Sequence, residues 1–271
     1  MKIVGHVSGR ELIKGFDTAR RIIEFGIGVE LQLTSKILDS FKLKEYGKLR
    51  KLAGTKPVTV HGPFLDLNPG ATDSYILEAT RKRFEETLIA AKVLEAETIV
   101  FHTGFHPAKT YPIYDTWLKT AAETFKYVAE RSDFRIALEN VFDEVPDHLE
   151  RLLNELPENV GVCIDIGHLN LFSKEPLEVW IEKFRDRIFE FHVHDNSGDN
   201  DEHGKIGSGT FDFDSFFKLL KKIPDNYIFN LENKRPEDVE ESLKVVRRLT
   251  TVEIFRTKSY ICRTTAPDTM N

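Results

Sequence analysis

The sequence predicts an α/β fold, a single-domain (β/α)8 TIM barrel, and three observations support this prediction. Short runs of β-branched and apolar residues alternate with longer amphipathic stretches along the chain. Several of the short runs, such as TIVFHT and VGVCIDI, are almost continuously apolar, as parallel strands buried on both faces are. Eight strand–helix units in about 250 residues also match the usual size of a closed barrel.

Eight strands are predicted in chain order. They are Lys2–Val7, Gly28–Leu33, Pro57–His61, Thr98–His102, Arg135–Glu139, Val160–Asp165, Ile188–His194 and Tyr227–Glu232. The segments between them show helical spacing of apolar residues. The predicted helices are Gly9–Phe25, Lys36–Lys51, Asp73–Ala96, Tyr114–Ala129, Pro146–Glu155, Leu177–Arg185, Phe213–Lys222 and Pro236–Leu249. Strands that alternate with helices in this way predict βαβ units and therefore a parallel sheet.

A doubly wound open sheet would show the same alternation. A nucleotide-binding sheet of that kind usually carries a glycine-rich phosphate loop after its first strand. Here the segment HVSGREL closes the first strand without a GxGxxG motif, which favours the barrel. The barrel is predicted to span residues 1–249. Residues 250–271 are interpreted as a C-terminal appendage of unknown role, in which VEIF and SYIC are candidate edge strands.

Composition excludes several classes of protein. With 41% hydrophobic residues the chain is not intrinsically disordered, and with two cysteines it is not a disulfide-stapled miniprotein. No apolar run approaches the roughly 18 residues of a membrane-spanning helix, and the N-terminal residues lack a secretory signal pattern. We therefore expect a cytoplasmic protein with no membrane partner. The formal net charge of −6 argues weakly against nucleic acid.

Histidine, aspartate and glutamate residues collect where the predicted strands three to eight end. The set comprises His61, His102, Glu139, Asp165, His168, His192, Asp201, His203 and Glu232. In a parallel barrel these ends converge on the face where such enzymes place their sites. Without a cation, we expect the clustered carboxylates to repel one another and their pKa values to rise. The mixture of imidazole and carboxylate predicts a divalent metal site for Zn²⁺, Mn²⁺, Mg²⁺ or Co²⁺.

Other residues near these strand ends are assigned to supporting roles. Contact with substrate is predicted for His168, His106, His194 and Lys205. His6 is interpreted as a residue of the core or one that supports the ligands, and His148 as a surface residue. Cys163 lies on a buried strand, which favours a packing role.

The segments HGPFLDLNP, FHTG, CIDIGH, HVHDN and DEHGKIGSG, with LEN at two strand ends, resemble the superfamily of xylose-isomerase-like barrels. The resemblance extends over residues 1–249. That superfamily contains sugar isomerases and epimerases together with endonuclease IV, of AP endonuclease family 2. Resemblance to the ketose epimerases implies one metal ion held by Glu139, Asp165, His192 and Glu232. It also implies that the two glutamates act as acid/base groups on opposite faces of the substrate. Resemblance to endonuclease IV implies up to three zinc ions held by all nine residues.

The favoured function is a metal-dependent isomerase or epimerase of a sugar or sugar phosphate, acting by proton transfer through a metal-stabilised enediolate. The alternative is an endonuclease IV-like multinuclear zinc phosphodiesterase with a nucleic-acid partner. The segment LQLTSKILDS lacks the arginine that endonuclease IV places after strand two, and FLDLNPGATD is acidic, which disfavours DNA binding. A barrel without catalysis is disfavoured because both glutamates are present. Barrels of this superfamily often pair, so a homodimer is possible.

Overall fold

Eight parallel strands close into a barrel in chain order, with the first strand paired to the last. The computed structural model describes the backbone of residues 1–263 and the side chains of residues 1–249. The predicted fold class is confirmed. Within the described residues, none of the helices has the length and hydropathy that crossing a membrane requires.

The strands agree closely with the predicted ones. They are β1 (Lys2–Val7), β2 (Gly28–Gln32), β3 (Val58–His61), β4 (Thr98–His102), β5 (Arg135–Glu139), β6 (Val160–Asp165), β7 (Ile188–Val193) and β8 (Ile228–Leu231). Their residues are almost all buried because helices cover the outer face of the barrel while side chains fill its interior.

Twelve α-helices lie in the described part of the chain. They are α1 (Gly9–Lys14), α2 (Asp17–Glu24), α3 (Ser35–Ser40), α4 (Leu43–Ala53), α5 (Ser74–Leu94), α6 (Pro107–Thr110), α7 (Tyr114–Ala129), α8 (Asp147–Asn154), α9 (Ile166–Phe172), α10 (Leu177–Phe184), α11 (Phe213–Leu220) and α12 (Pro236–Arg263). A short 3₁₀ turn, Tyr111–Ile113, joins α6 to α7. Several helices begin at side-chain caps; at α5, for example, the Asp73 carboxylate accepts from the N–H groups of Tyr75 and Ile76.

The structure corrects three local predictions. The segment Gly9–Phe25 is two helices, because Gly15 ends α1 with a φ of 143° and α2 starts at Asp17. The segment Lys36–Lys51 likewise falls on two helices, α3 and α4. VEIF and SYIC belong to α12, so the prediction of edge strands there is wrong. The barrel boundary at residue 249 stays a prediction.

The barrel interior is partly polar. A small apolar cluster is formed by Val100, Ala137, Cys163 and Phe189, in agreement with the packing role predicted for the cysteine. Glu30 of β2 hydrogen-bonds to His192 of β7, and Thr59 of β3 hydrogen-bonds to Glu190 of β7. Because β7 neighbours neither β2 nor β3 in the sheet, these bonds cross the inside of the barrel. This buried polar interior lies beside the predicted metal ligands.

Candidate metal centre

The carboxyl ends of the strands surround a cavity of about 750 Å³. Seven of the nine predicted metal ligands line it, namely His61, His102, Glu139, His168, Asp201, His203 and Glu232. The other two, Asp165 and His192, are fully buried. The structure therefore brings together all nine residues that the sequence assigns to the site, and they form three groups.

The first group joins β3, β4 and β5. Glu139 Oε2 lies 3.1 Å from His61 Nε2 and 3.2 Å from His102 Nε2. The Nδ1 atom of His61 donates a hydrogen bond of 2.8 Å to the carbonyl oxygen of Gly62. A neutral His61 therefore presents an unprotonated Nε2 to a carboxylate, and two acceptors that face each other need a proton or a cation between them.

The second group lies at the ends of β6, β7 and β8. His192 Nδ1 is 3.0 Å from Glu232 Oε2, 3.7 Å from Glu139 Oε2 and 3.8 Å from Asp165 Oδ2. Both His192 Nδ1 and Glu232 Oε2 are buried without a hydrogen-bond partner. Buried polar atoms are normally satisfied, so this unpartnered pair among carboxylates fits a bound cation.

The third group is carried by α9 and the loop after β7. Asp201 Oδ2 is 3.0 Å from His203 Nε2 and 3.7 Å from His168 Nε2. The Nδ1 atoms of these histidines donate to backbone carbonyl oxygens, at 2.9 Å from Glu232 for His203 and at 2.9 Å from Asn140 for His168. Histidine ligands of metals characteristically donate their second N–H to such an acceptor, which fixes the ring and its tautomer.

The electrostatics correct one expectation from the sequence. Burial would raise the pKa of Glu139 and Glu232, but the neighbouring imidazoles outweigh it and hold both values well below the usual range. Conversely, burial lowers the pKa of His203, and the carboxylates of Glu232 and Asp201 raise it to about 9. The expected rise in carboxylate pKa is wrong because imidazoles, rather than further carboxylates, face these groups. In the metal-free protein, protonated imidazoles thus supply the positive charge that a bound cation would supply to these carboxylates.

The cavity walls combine aromatic and cationic side chains. Phe64 stacks on His102 with ring centroids 4.2 Å apart, and Phe142 and Phe172 form another part of the wall. The cationic residues that line the cavity are Arg10, Lys234 and Arg235. Aromatic faces suit the C–H surface of a sugar, and the cations suit an anionic substituent.

Of the four residues predicted to contact substrate, one lines the cavity and three do not. His168 lines the cavity, whereas His106, His194 and Lys205 are not among its lining residues. His194 is fully buried, with Nε2 at 3.2 Å from Asp165 Oδ1, and its ring stacks on that of His203. Lys205 is exposed on the loop after β7. For these three residues, contact with substrate stays a prediction.

Sequence reasoning missed Glu30 and misjudged one histidine, His148. Glu30 is fully buried and bonds to His6 and His192, and its only signal was one acidic residue inside the strand GVELQ. His6 lines the cavity and bonds to Glu30, which fits the interpretation of His6 as a residue that supports the ligands. His148 is half-buried, not a surface residue, because it stacks on Phe105 at 4.2 Å.

Comparison with known proteins agrees with this geometry. A family model described as xylose isomerase-like TIM barrel matches residues 22–249. The uncharacterized protein MJ1311 of Methanocaldococcus jannaschii is 31% identical over 204 residues, which are 70% of this chain and 69% of that protein. A solved structure of a D-tagatose 3-epimerase-like protein is 26% identical, with a TM-score of 0.80 over 96% of this chain and 100% of that one. The TTHB071 protein of Thermus thermophilus, soaked with ZnCl₂, has the same fold at 22% identity, with a TM-score of 0.77 over 92% of this chain and 98% of that one.

Proposed function

Because the chain belongs to the xylose isomerase-like TIM barrel family, we propose that it is a divalent-metal-dependent isomerase or epimerase of a sugar or sugar phosphate. One observation carries the proposal. Glu139 at the end of β5 and Glu232 just after β8 both line the cavity and both approach Nδ1 of His192, at 3.7 and 3.0 Å. Two carboxylates that both approach one cation site can supply the two groups that proton removal and return at a sugar carbon require.

Glu139 and the residues of the second group would hold the metal, with Asp165 and His192 fully buried and the two glutamates lining the cavity. When bound, a divalent cation there would polarise a substrate carbonyl and acidify the neighbouring C–H group. One glutamate would remove that proton and the other would return a proton from the opposite face. The 750 Å³ cavity is of the size that small-molecule sites usually have.

The cavity walls support a sugar phosphate as well as a sugar. Phe64 and Phe142 offer apolar faces that would help to exclude water, and Arg10 and Lys234 offer positive charge to a phosphate group. The structural similarity to a D-tagatose 3-epimerase-like protein at 26% identity points to the same class of substrate.

A second candidate function is phosphodiester hydrolysis, and the completeness of the first and third groups favours it. A single-metal isomerase needs neither His61 with His102 nor Asp201 with His203 as ligands. The connection between β3 and α5, residues 62–73, contains two aspartates and no lysine or arginine. Since nucleic-acid binding depends largely on cationic contacts with phosphates, this loop favours the sugar over the nucleic acid.

The first experiment is elemental analysis of protein purified without chelator, together with two assays. We expect about one metal ion per chain, which Mn²⁺ or Co²⁺ can replace. In the first assay, NMR should detect exchange of a carbon-bound proton of D-tagatose or D-fructose with D₂O; the second assay tests cleavage of an abasic-site duplex. About three zinc ions per chain with cleavage of an abasic-site duplex would overturn the isomerase and establish the second candidate.

Two single substitutions also distinguish a mononuclear isomerase from a multinuclear phosphodiesterase. His61→Ala removes a ligand of the first group and His203→Ala one of the third, while both leave the second group intact. We expect mild losses of sugar proton exchange. Loss of all activity in both variants would contradict a mononuclear isomerase.

A further inference from the structure

Glu30 lies in the barrel interior, where its carboxylate joins polar groups from three other strands. Oε1 accepts hydrogen bonds from His6 Nδ1 of β1 at 2.8 Å and from Asn230 Nδ2 of β8 at 2.6 Å. Oε2 accepts from His192 Nε2 of β7 at 3.2 Å. The side chain is fully buried, so water does not compete for these partners.

The chemistry of a carboxylate decides which ring nitrogens carry hydrogen. An ionised carboxylate is an acceptor only, so His6 must donate from Nδ1 and His192 from Nε2. In the neutral rings the opposite nitrogens, His192 Nδ1 and His6 Nε2, are therefore left with lone pairs.

Those two lone pairs face different parts of the site. His192 Nδ1 faces the carboxylates of Glu139, Asp165 and Glu232. His6 lines the cavity, and its hydrogen bond to Glu30 uses Nδ1, which leaves Nε2 for a ligand. One carboxylate thus controls both a metal ligand and a group that faces the substrate space.

We propose that Glu30 is the positioning residue of the centre. It holds His192 so that Nδ1 is presented to the metal, and it holds His6 so that an unprotonated Nε2 accepts a hydrogen bond from a hydroxyl group of a ligand in the cavity. The part that concerns His192 rests on the proposed metal centre. Carboxylates that orient a ligating histidine are worth about 10- to 100-fold in metal affinity.

The test uses zinc-loaded protein of full length and two readouts other than activity. Long-range ¹H–¹⁵N NMR at pH 8 reports the tautomer of each imidazole, with the signals assigned through His6→Phe and His192→Phe. We expect the Nδ1–H tautomer for His6 and the Nε2–H tautomer for His192. Competition with a chromophoric chelator gives the zinc Kd, which should rise about 10- to 100-fold in Glu30→Gln.

Two variants serve as matched controls. Glu97→Gln alters a half-buried glutamate just before the amino end of β4, whose carboxylate accepts from Lys2 Nζ at 2.6 Å, and the zinc Kd should stay within about twofold of wild type. His6→Phe removes the group that faces the cavity and keeps Glu30 bonded to His192. Its zinc Kd should also be unchanged, because only the Glu30 variant frees the metal-binding ring.

Several outcomes would overturn the proposal. They are an Nε2–H tautomer for His6, an Nδ1–H tautomer for His192, or equal zinc Kd values for Glu30→Gln and Glu97→Gln. The tautomers are read on the wild-type protein, so the test stands even if Glu30→Gln does not fold. If no sugar exchanges protons while the tautomers and Kd values are as expected, the proposed function fails and the role of Glu30 stands.

Discussion

The buried carboxyl groups of Glu139 and Asp143 behave in opposite ways. Glu139 faces the imidazoles of His61 and His102, which keep it ionised. Asp143 lies in the loop after β5, where Oδ2 accepts from the backbone N–H of Val141, and burial raises its pKa to about 7. The partner of each carboxylate, rather than its depth, decides its charge.

Asp143 predicts a pH-dependent loss of stability. Its pKa is about 7 in the folded chain and near 3.8 in the unfolded chain, so the folded state binds more protons between these values. The free energy of unfolding should therefore fall as the pH rises from about 4 to 7, by about 1.4 kcal/mol for each unit of pKa difference. Asp143→Asn should gain stability relative to wild type between pH 4.5 and pH 8, because its amide does not ionise. Urea unfolding of metal-free protein at both pH values measures this, and parallel profiles would contradict it.

The two glutamates that line the cavity give a prediction for activity. Glu139→Gln and Glu232→Gln should each lower the rate of sugar proton exchange by about 10²- to 10⁴-fold, because neither amide can accept the proton. Circular dichroism should be unchanged. Glu202→Gln, on an exposed loop residue that bonds to Ser197, is the matched control. Proton exchange within tenfold of wild type in either cavity variant would exclude that glutamate as the acid/base group.

Single residues show what the sequence could and could not predict. The candidate metal ligands could be recognised because each lies at or just beyond the end of an apolar strand, a position whose location in a barrel is known in advance. Glu30 could not, because its partners His6, His192 and Asn230 come from strands that meet only once the barrel has closed. Sequence alternation does not distinguish the inside of a closed sheet from its outer face.

At the level of elements, the loop between β7 and α11 depends on Asp195. This buried carboxylate accepts from four backbone N–H groups, those of Asn196, Gly207, Gly209 and Phe211, at 2.7 to 3.3 Å. The backbone of Asp195 also pairs with that of Gly204. Asp195, near the start of the loop that carries Asp201 and His203, therefore holds the loop backbone in place. Lys205 lies on the surface of the same loop.

Asp195→Ala should loosen this loop and with it the third group of ligands. Hydrogen bonds to a charged group are worth about 1.5–3 kcal/mol each, so the loss of four should lower stability by several kcal/mol. The single zinc ion of the proposed centre should still bind, because the hydrogen bonds of the Asp195 carboxylate lie within its own loop. Urea unfolding and amide hydrogen exchange of this variant beside Asp212→Ala, which removes only the cap of α11, measure the loss. Equal stability and equal exchange of the loop N–H groups in the two variants would contradict the role of Asp195.

The presence of strands and helices was easier to predict than the residues at which helices break or end. All eight strands were found because each combines β-branched residues with flanking turn residues. The break between α1 and α2 was missed because the amphipathic pattern continues through Gly15. The continuation of α12 to Arg263 was missed because β-branched residues there favour a strand when read alone.

At the scale of the whole molecule, the centre ties six strands together through their ends. A cation that binds the folded state and not the unfolded chain should stabilise the fold by about 2.7 kcal/mol at a concentration of 100 times its Kd. For a chain of this size such a gain raises the Tm by roughly 5–10 °C. Thermal unfolding with EDTA and with graded ZnCl₂ tests this, and NaCl at equal ionic strength controls for salt. A Tm that does not depend on zinc would contradict a metal centre within the fold.

The pairing of β1 with β8 has a consequence for how the protein matures on the ribosome. His61 is synthesised early and Glu232 late, and the ring of strands cannot close until β8 has emerged and paired with β1. A nascent chain therefore carries incomplete sets of ligands throughout most of its synthesis. An ion that needs all of these residues would be captured only as the barrel closes, so the proposed centre would be loaded late in the synthesis of the chain.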